Sequence, residues 1–264
     1  MQANLNKTHW IAILIFTLIF AFLYFGLDTK SKKQKGLEKS RAEKIELIDI
    51  DRYIRKKKES LSPPAASYIM NVETEISESS ADDQRIELFK QLASKWYSIG
   101  SPLISAFYAE QVAKLSGDEK SWSITGTSYT IAAQNSDDER QKQYAIQKSR
   151  TALDKAIALN EANIDNQINL ALTYVEVQDQ ENPMKGIMML LDLNKKNPED
   201  ASVLFQLGRL SLGTNQLDNA VKRLSQAVEL KNDYTAAYCL LARAYEKLGQ
   251  KSKADEAQKN CDTK

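Results

Sequence analysis

Two cysteines, one histidine and a scatter of carboxylates are the residues of this chain with chemistry to offer. Cys239 and Cys261 could bridge in an oxidising compartment; in a reducing one they would serve as small hydrophobes. His9 has no second ligand or base, so neither a metal set nor a Ser/His/Asp relay can be assembled around it. No glycine-rich phosphate loop and no cysteine cluster occurs in the sequence. Carboxylates abound, but they fall on polar helix faces, where solvation accounts for them. The residues predict no catalysis, no metal and no cofactor. With 36 Lys and Arg against 35 Asp and Glu, the net charge of +1 gives no pull toward nucleic acid.

The elements that carry these residues are predicted to be helices. A chain of 264 residues, 42% hydrophobic and 27% charged, can build a sizeable packed domain. Nine Gly and five Pro are too few for the turns of an all-β protein. From Trp10 to Leu27, "WIAILIFTLIFAFLYFGL" is free of charge, and at about 1.5 Å per residue it reaches roughly 27 Å, the thickness of a bilayer's hydrocarbon. Trp10 and Tyr24 sit near its ends as interfacial anchors would, and "YFGLDTK" has no small-x-small cleavage site, so the reading is an uncleaved anchor over 1–27 (span 10–27). Lys30, Lys32, Lys33, Lys35, Lys39, Arg41 and Lys44 crowd after the span. The positive-inside rule then places the C-terminal part in the cytoplasm, with the other side of the membrane as the alternative.

Residues 28–80 read as a charged, partly helical linker. Ser62 followed by Pro63 marks a helix start, with the helix running to about Ser77; "EKIELIDIDRYI" (Glu43 to Ile54) mixes strand and helix spacing. The polar break "SESSADDQ" sets the boundary to a domain over 81–264.

That domain repeats. With Leu207 at position 7 of a 34-residue unit, Gly208 falls at 8 and Ala220 at 20, and the next unit repeats Leu241, Ala242 and Ala254. Upstream, Leu170, Ala171, Tyr174 and Gly186 occupy 7, 8, 11 and 20, and Trp122, Gly126, Tyr129 and Ser149 occupy 4, 8, 11 and 20, this unit being some eleven residues longer. Phe89, Leu92, Ala93, Trp96 and Ser105 open the series. Small residues at 8 and 20 let two antiparallel helices approach, and large ones at 4, 7, 11 and 24 fill around the crossing. One hairpin cannot bury both faces, so about five must stack, as units near 86–118, 119–163, 164–200, 201–234 and 235–264.

These residues resemble the tetratricopeptide repeat family, whose helical pair carries W-x2-LG-x2-Y and then A, F, A and P. Ser211 at 11, Gln167 at 4 and the polar last helix depart from that pattern. The architecture is similar to single-pass, membrane-anchored members of Gram-negative bacteria. The resemblance implies an all-α solenoid whose first helices line a groove at positions 2, 5, 9 and 12. Here that row includes Lys90, Ser94, Thr127, Ile168, Leu172, Val175, Phe205, Arg209, Leu212, Arg243 and Glu246. Its apolar members suit a helix or extended peptide, and Arg209 and Arg243 suit a carboxylate; the competing readings are that these side chains complete the core, or that the linker fills the groove. The carboxylate clamp of the chaperone-binding members is matched only at Lys90 in the first unit. The expectation is a membrane-anchored scaffold that binds a protein or peptide. The alternatives are a self-assembling structural subunit, and a periplasm-facing accessory subunit of a secretion or cytochrome-biogenesis assembly.

Overall fold

Aspartate or asparagine starts five of the helices in the computed structural model, which describes residues 48–178 and 182–262. Asp49 and Asp118 accept hydrogen bonds from the backbone of Arg52 and Ser121, and Asp138, Asn163 and Asp200 cap in the same way. Each satisfies an amide that the first turn would leave bare. Pro63 and Pro102 open two more helices, where a missing N–H costs nothing.

Twelve helices result, with no strand among the described residues. They are α1 (Ile50–Lys58), α2 (Pro63–Glu78), α3 (Asp82–Ser98), α4 (Pro102–Ser116), α5 (Glu119–Gln134) and α6 (Glu139–Leu159), then α7 (Ile164–Glu176), α8 (Lys185–Lys196), α9 (Ala201–Gly213), α10 (Leu217–Leu230), α11 (Thr235–Lys247) and α12 (Lys251–Asp262). From α2 onward each helix packs on its successor, and α4 on α6, α5 on α7 and α9 on α11 pack one repeat apart. Contacts that reach only the neighbouring hairpin define a solenoid. The extra residues of the second unit lengthen both its helices, to 16 and 21 residues against 13 and 14 in α9 and α10.

The expected small-residue crossings are present, with a shift in register. A methyl group on Gly186 would lie 2.5 Å from the Ala171 carbonyl oxygen, so that pair meets as the sequence pattern demands. On Gly126 and Gly208 it would instead meet Leu153 at 2.5 Å and Leu224 at 2.7 Å. Position 8 is thus roofed by the leucine at 24, while Ser149 at 20 donates to the Gly126 carbonyl at 2.8 Å. Trp122, Tyr129, Leu170, Ala171, Leu207, Ala220, Leu241, Ala242 and Ala254 are all buried, as their repeat positions require. Tyr174 is the exception: half-buried, it lies between the Arg150 guanidinium at 3.8 Å and the Lys185 ammonium at 3.9 Å from its ring centre.

The span expected at 10–27 lies outside the described residues, as do positions 28–47; among the described residues no helix is long and apolar enough to cross a membrane. A boundary at 81 does not separate two cores. Ile50 and Ile54 of α1 and Ile69 and Val72 of α2 share one apolar cluster with Leu92, Trp96, Ile104 and Tyr144, within a compact unit Leu47–Lys264. The part of Glu43 to Ile54 that is described begins helix α1, and the helix after Ser62 is α2.

Candidate functional site

A side chain on a first helix can line a groove only if the second helix and the next hairpin both leave it free. Positions 5 and 12 often fail this test. Ile168 and Leu212, assigned to the groove by the family rule, are 4% and 6% exposed and belong to the core. Ile168 packs with Leu190, Leu193 and Val203, and Leu212 lies in the cluster around Leu224 and Leu241. Leu172, Val175 and Phe205 are half-buried, and the Phe205 ring centre stands 4.8 Å from that of Tyr234. Arg209 and Arg243 are exposed, as are Lys90, Ser94 and Glu246; Thr127 is half-buried.

The free strip runs instead along positions 2, 6, 9 and 13, a spacing of four, three and four that keeps one helix face. On α3 it is Glu87, Gln91, Ser94 and Ser98, all exposed. On α5 it is Lys120, Ile124, Thr127 and Ile131, with the two isoleucines 50% and 38% exposed. Asp165, Asn169, Leu172 and Glu176 continue it on α7, Arg209 and Gly213 are its exposed members on α9, and Ala236, Arg243 and Lys247 are those on α11. The strip is polar at α3, apolar at α5 and basic toward α11. Ile124 and Ile131 were missed because Trp122 and Tyr129, also seven apart, claim the apolar face of α5. A second apolar pair on the opposite face of one helix was the signal that could have found them.

At the α3 end a cavity of about 380 Å³ opens between α2 and the strip, lined by Tyr68, Lys90, Gln91, Ser94 and Lys95 among others. The Tyr68 hydroxyl donates to Gln91 Oε1 at 3.3 Å, and the Lys95 ammonium sits 5.5 Å from the Tyr68 ring centre. Helix α2 therefore closes one end of the strip, and the faces of α5, α9 and α11 keep exposed side chains along it.

The perturbed ionisable groups lie off this strip and have structural partners. Burial works to raise the Glu110 carboxyl, yet hydrogen bonds from Lys114 and Tyr129 and the charge of Lys148 outweigh it and hold the group below the usual carboxylate range. The Tyr129 hydroxyl donates to Glu110 at 2.7 Å, and burial beside that carboxylate pushes the phenol up. Asp118 is lowered to about 2 by hydrogen bonds from Ser116 and Ser121 at the start of α5. Burial alone lowers Arg223, which donates to the Ser211 hydroxyl at 2.7 Å and so fills the place of the aromatic missing at position 11. Among the described residues no group of three or more His, Cys, Asp or Glu could hold a metal ion.

Cys239 and Cys261 are joined in a disulfide, with Cα atoms 4.8 Å apart, so α11 and α12 bring them into register.

The family model described as TPR repeat matches residues 214–249, the stretch that holds α10 and α11. No curated protein matches the chain. Among solved structures it is similar to residues 41 to the end of MamA from Desulfovibrio magneticus RS-1, at 16% identity over 67% of this chain and 92% of that one, with a TM-score of 0.44. It is also similar to MamA AMB-1, at 21% identity over 68% and 91% with a TM-score of 0.39, and to MamA MSR-1, at 22% over 67% and 94% with a TM-score of 0.39.

Proposed function

We propose that this tetratricopeptide-repeat chain is a scaffold, held at a membrane by residues 10–27, that binds an extended or helical segment of another protein along the strip on α3 to α11. The exposed pair Ile124 and Ile131 carries the reading, because two isoleucines on a helix that already buries its apolar face gain nothing by staying in water unless something covers them. Arg209, Arg243 and Lys247 add a cationic stretch for a carboxylate-bearing segment. The scaffold acts by holding and positioning, without bond chemistry of its own.

The experiment is crosslinking in intact membranes followed by mass spectrometry, comparing the wild type with Ile124→Ser/Ile131→Ser. Loss of an exposed apolar pair from the centre of an interface should weaken partner recovery by about tenfold or more. Equal recovery by both chains would refute the strip as the binding surface. A Met188→Ser variant on α8 serves as the control, since its exposed side chain lies on a second helix and the strip on first helices.

The side of the membrane is argued by two opposed signals. Lysines and arginines at 30–44 favour the cytoplasm. The Cys239–Cys261 bond favours an oxidising compartment, where such bonds persist. Because charge biases insertion while a reducing cytoplasm keeps thiols reduced, we place the repeats on the oxidising side. A protease added to spheroplasts should digest them; full protection would reverse this placement.

A further inference from the structure

We infer that the Cys239–Cys261 bond is a redox-controlled clamp on the terminal helix: α12 stays docked while the bond is closed and leaves the stack when it is reduced. The observation behind this is how few side chains α12 buries. Of its twelve residues only Ala254 and Ala257 are buried and Cys261 half-buried, so nine face solvent. The equivalent helix α10 buries Ala220, Leu224, Ala227 and Val228. Where α10 has Leu224 to roof Gly208, α12 carries Gln258, exposed, at the same repeat position. The side-chain hydrogen bond from Gln258 to Asp262 runs within α12. The Lys253 ammonium, 5.5 Å from the Tyr245 ring centre, is an exposed contact of the weak kind. A helix of twelve residues is marginal in water on its own, so an undocked α12 would also lose its helical hydrogen bonds.

The bond spans 22 residues, and closing a loop of that length removes enough freedom from the open chain to favour docking on the order of 100-fold. Opening it needs two electrons and two protons, which a dithiol supplies by exchange through a mixed disulfide; the chain is left with two thiols and the dithiol becomes a cyclic disulfide. Once α12 departs, Leu241 and Ala242 on α11 lose Ala257 from the apolar cluster they share, and the face of α11 that α12 packed on meets water. Redox state thus decides whether the C-terminal end is sealed or open to a further helix.

The test compares the full chain in detergent after oxidation with glutathione disulfide and after reduction with dithiothreitol, by hydrogen exchange read with mass spectrometry. Amides of 251–262 should exchange on the order of 100-fold faster when reduced, while those of α10 change by less than about threefold. A Cys239→Ser/Cys261→Ser chain should match the reduced pattern and ignore the reductant. Three results would overturn the inference: thiols that glutathione disulfide fails to close, unchanged protection of α12 on reduction, or equal loss of protection in α10 and α12, which would make the bond a global staple instead of a local clamp.

Discussion

Replacing Gly186 by alanine isolates the packing term that spaces the hairpins. The added methyl carbon would stand 2.5 Å from the Ala171 carbonyl oxygen and 2.8 Å from the Val175 backbone nitrogen, both in the backbone of α7. Ordinary contact begins near 3.4 Å, so α7 and α8 must separate by roughly 0.9 Å, and the void this opens forfeits contact along the crossing. Overpacking of this kind costs about 1–3 kcal/mol, with the upper end expected because backbone cannot rotate away. Alanine returns about 1 kcal/mol of helix propensity, leaving a net loss of about 2 kcal/mol. At Gly208 the same methyl meets the Leu224 side chain at 2.7 and 2.9 Å, and the backbone only at 3.4 Å. Leucine can turn aside for about 1 kcal/mol, which the propensity gain offsets. Both glycines are buried and helical, so their difference reports rigidity of the neighbour alone. Urea unfolding followed by far-UV circular dichroism should give a lower midpoint for Gly186→Ala and a near-native one for Gly208→Ala, equivalent to a melting difference of about 4–8 °C. Coincident curves, or a weaker Gly208→Ala, would refute the reasoning.

Ile168→Ala should cost about 2–4 kcal/mol and Arg209→Ala less than about 0.5 kcal/mol in the same assay, which separates the core residue from the strip residue that the family rule placed together. Asp118 caps α5 with a carboxyl lowered to about 2, below its unfolded value near 3.9. A depressed carboxylate contributes stability that is present above the unfolded value and is lost as pH falls from about 4 through 2. Asp118→Ala should therefore be less stable than wild type by about 1 kcal/mol at pH 7, and the gap should close by pH 2. Glu110→Ala should cost about 1–3 kcal/mol by leaving the buried Tyr129 hydroxyl without its acceptor, and Tyr129→Phe in the Glu110→Ala background should recover part of that loss in a double-mutant cycle.

The repeat was legible because it is written in side-chain volume. A spacing of 34 carries Leu207, Gly208 and Ala220 onto Leu241, Ala242 and Ala254, and the longer second unit keeps the order Trp122, Gly126, Tyr129, Ser149, Leu153 though not the spacing. The groove was harder to read, because a rule that counts helical positions cannot know how far one hairpin rotates on the next. Ile168 and Leu212 lie about a quarter of a turn from the centre of the free strip, and that small angle is the difference between water and core. Tyr174 shows the same limit: its repeat position predicts burial, but Arg150 and Lys185 arrive from α6 and α8 and bracket its ring. For the cysteines, positions 5 and 27 fix the hairpin they share but not the axial offset of its helices, which the structure sets at a bonding distance.

Named side chains fasten α1 and α2 to the stack. Tyr53 of α1 donates to Gln141 of α6 at 3.3 Å, Lys58 pairs with Glu73 of α2, and Tyr108 of α4 donates to Glu73 at 2.9 Å. Helices α4 and α6 are the second members of their hairpins, so these contacts tie α1 and one edge of α2 to second helices, while Tyr68 of α2 reaches the strip at Gln91. Burial beside Glu73 and Asp51 pushes the Tyr108 phenol up, which keeps it a hydrogen-bond donor through the physiological range. A Tyr53→Phe/Lys58→Ala chain should loosen α1 by hydrogen exchange while its partner recovery stays equal to that of the wild type.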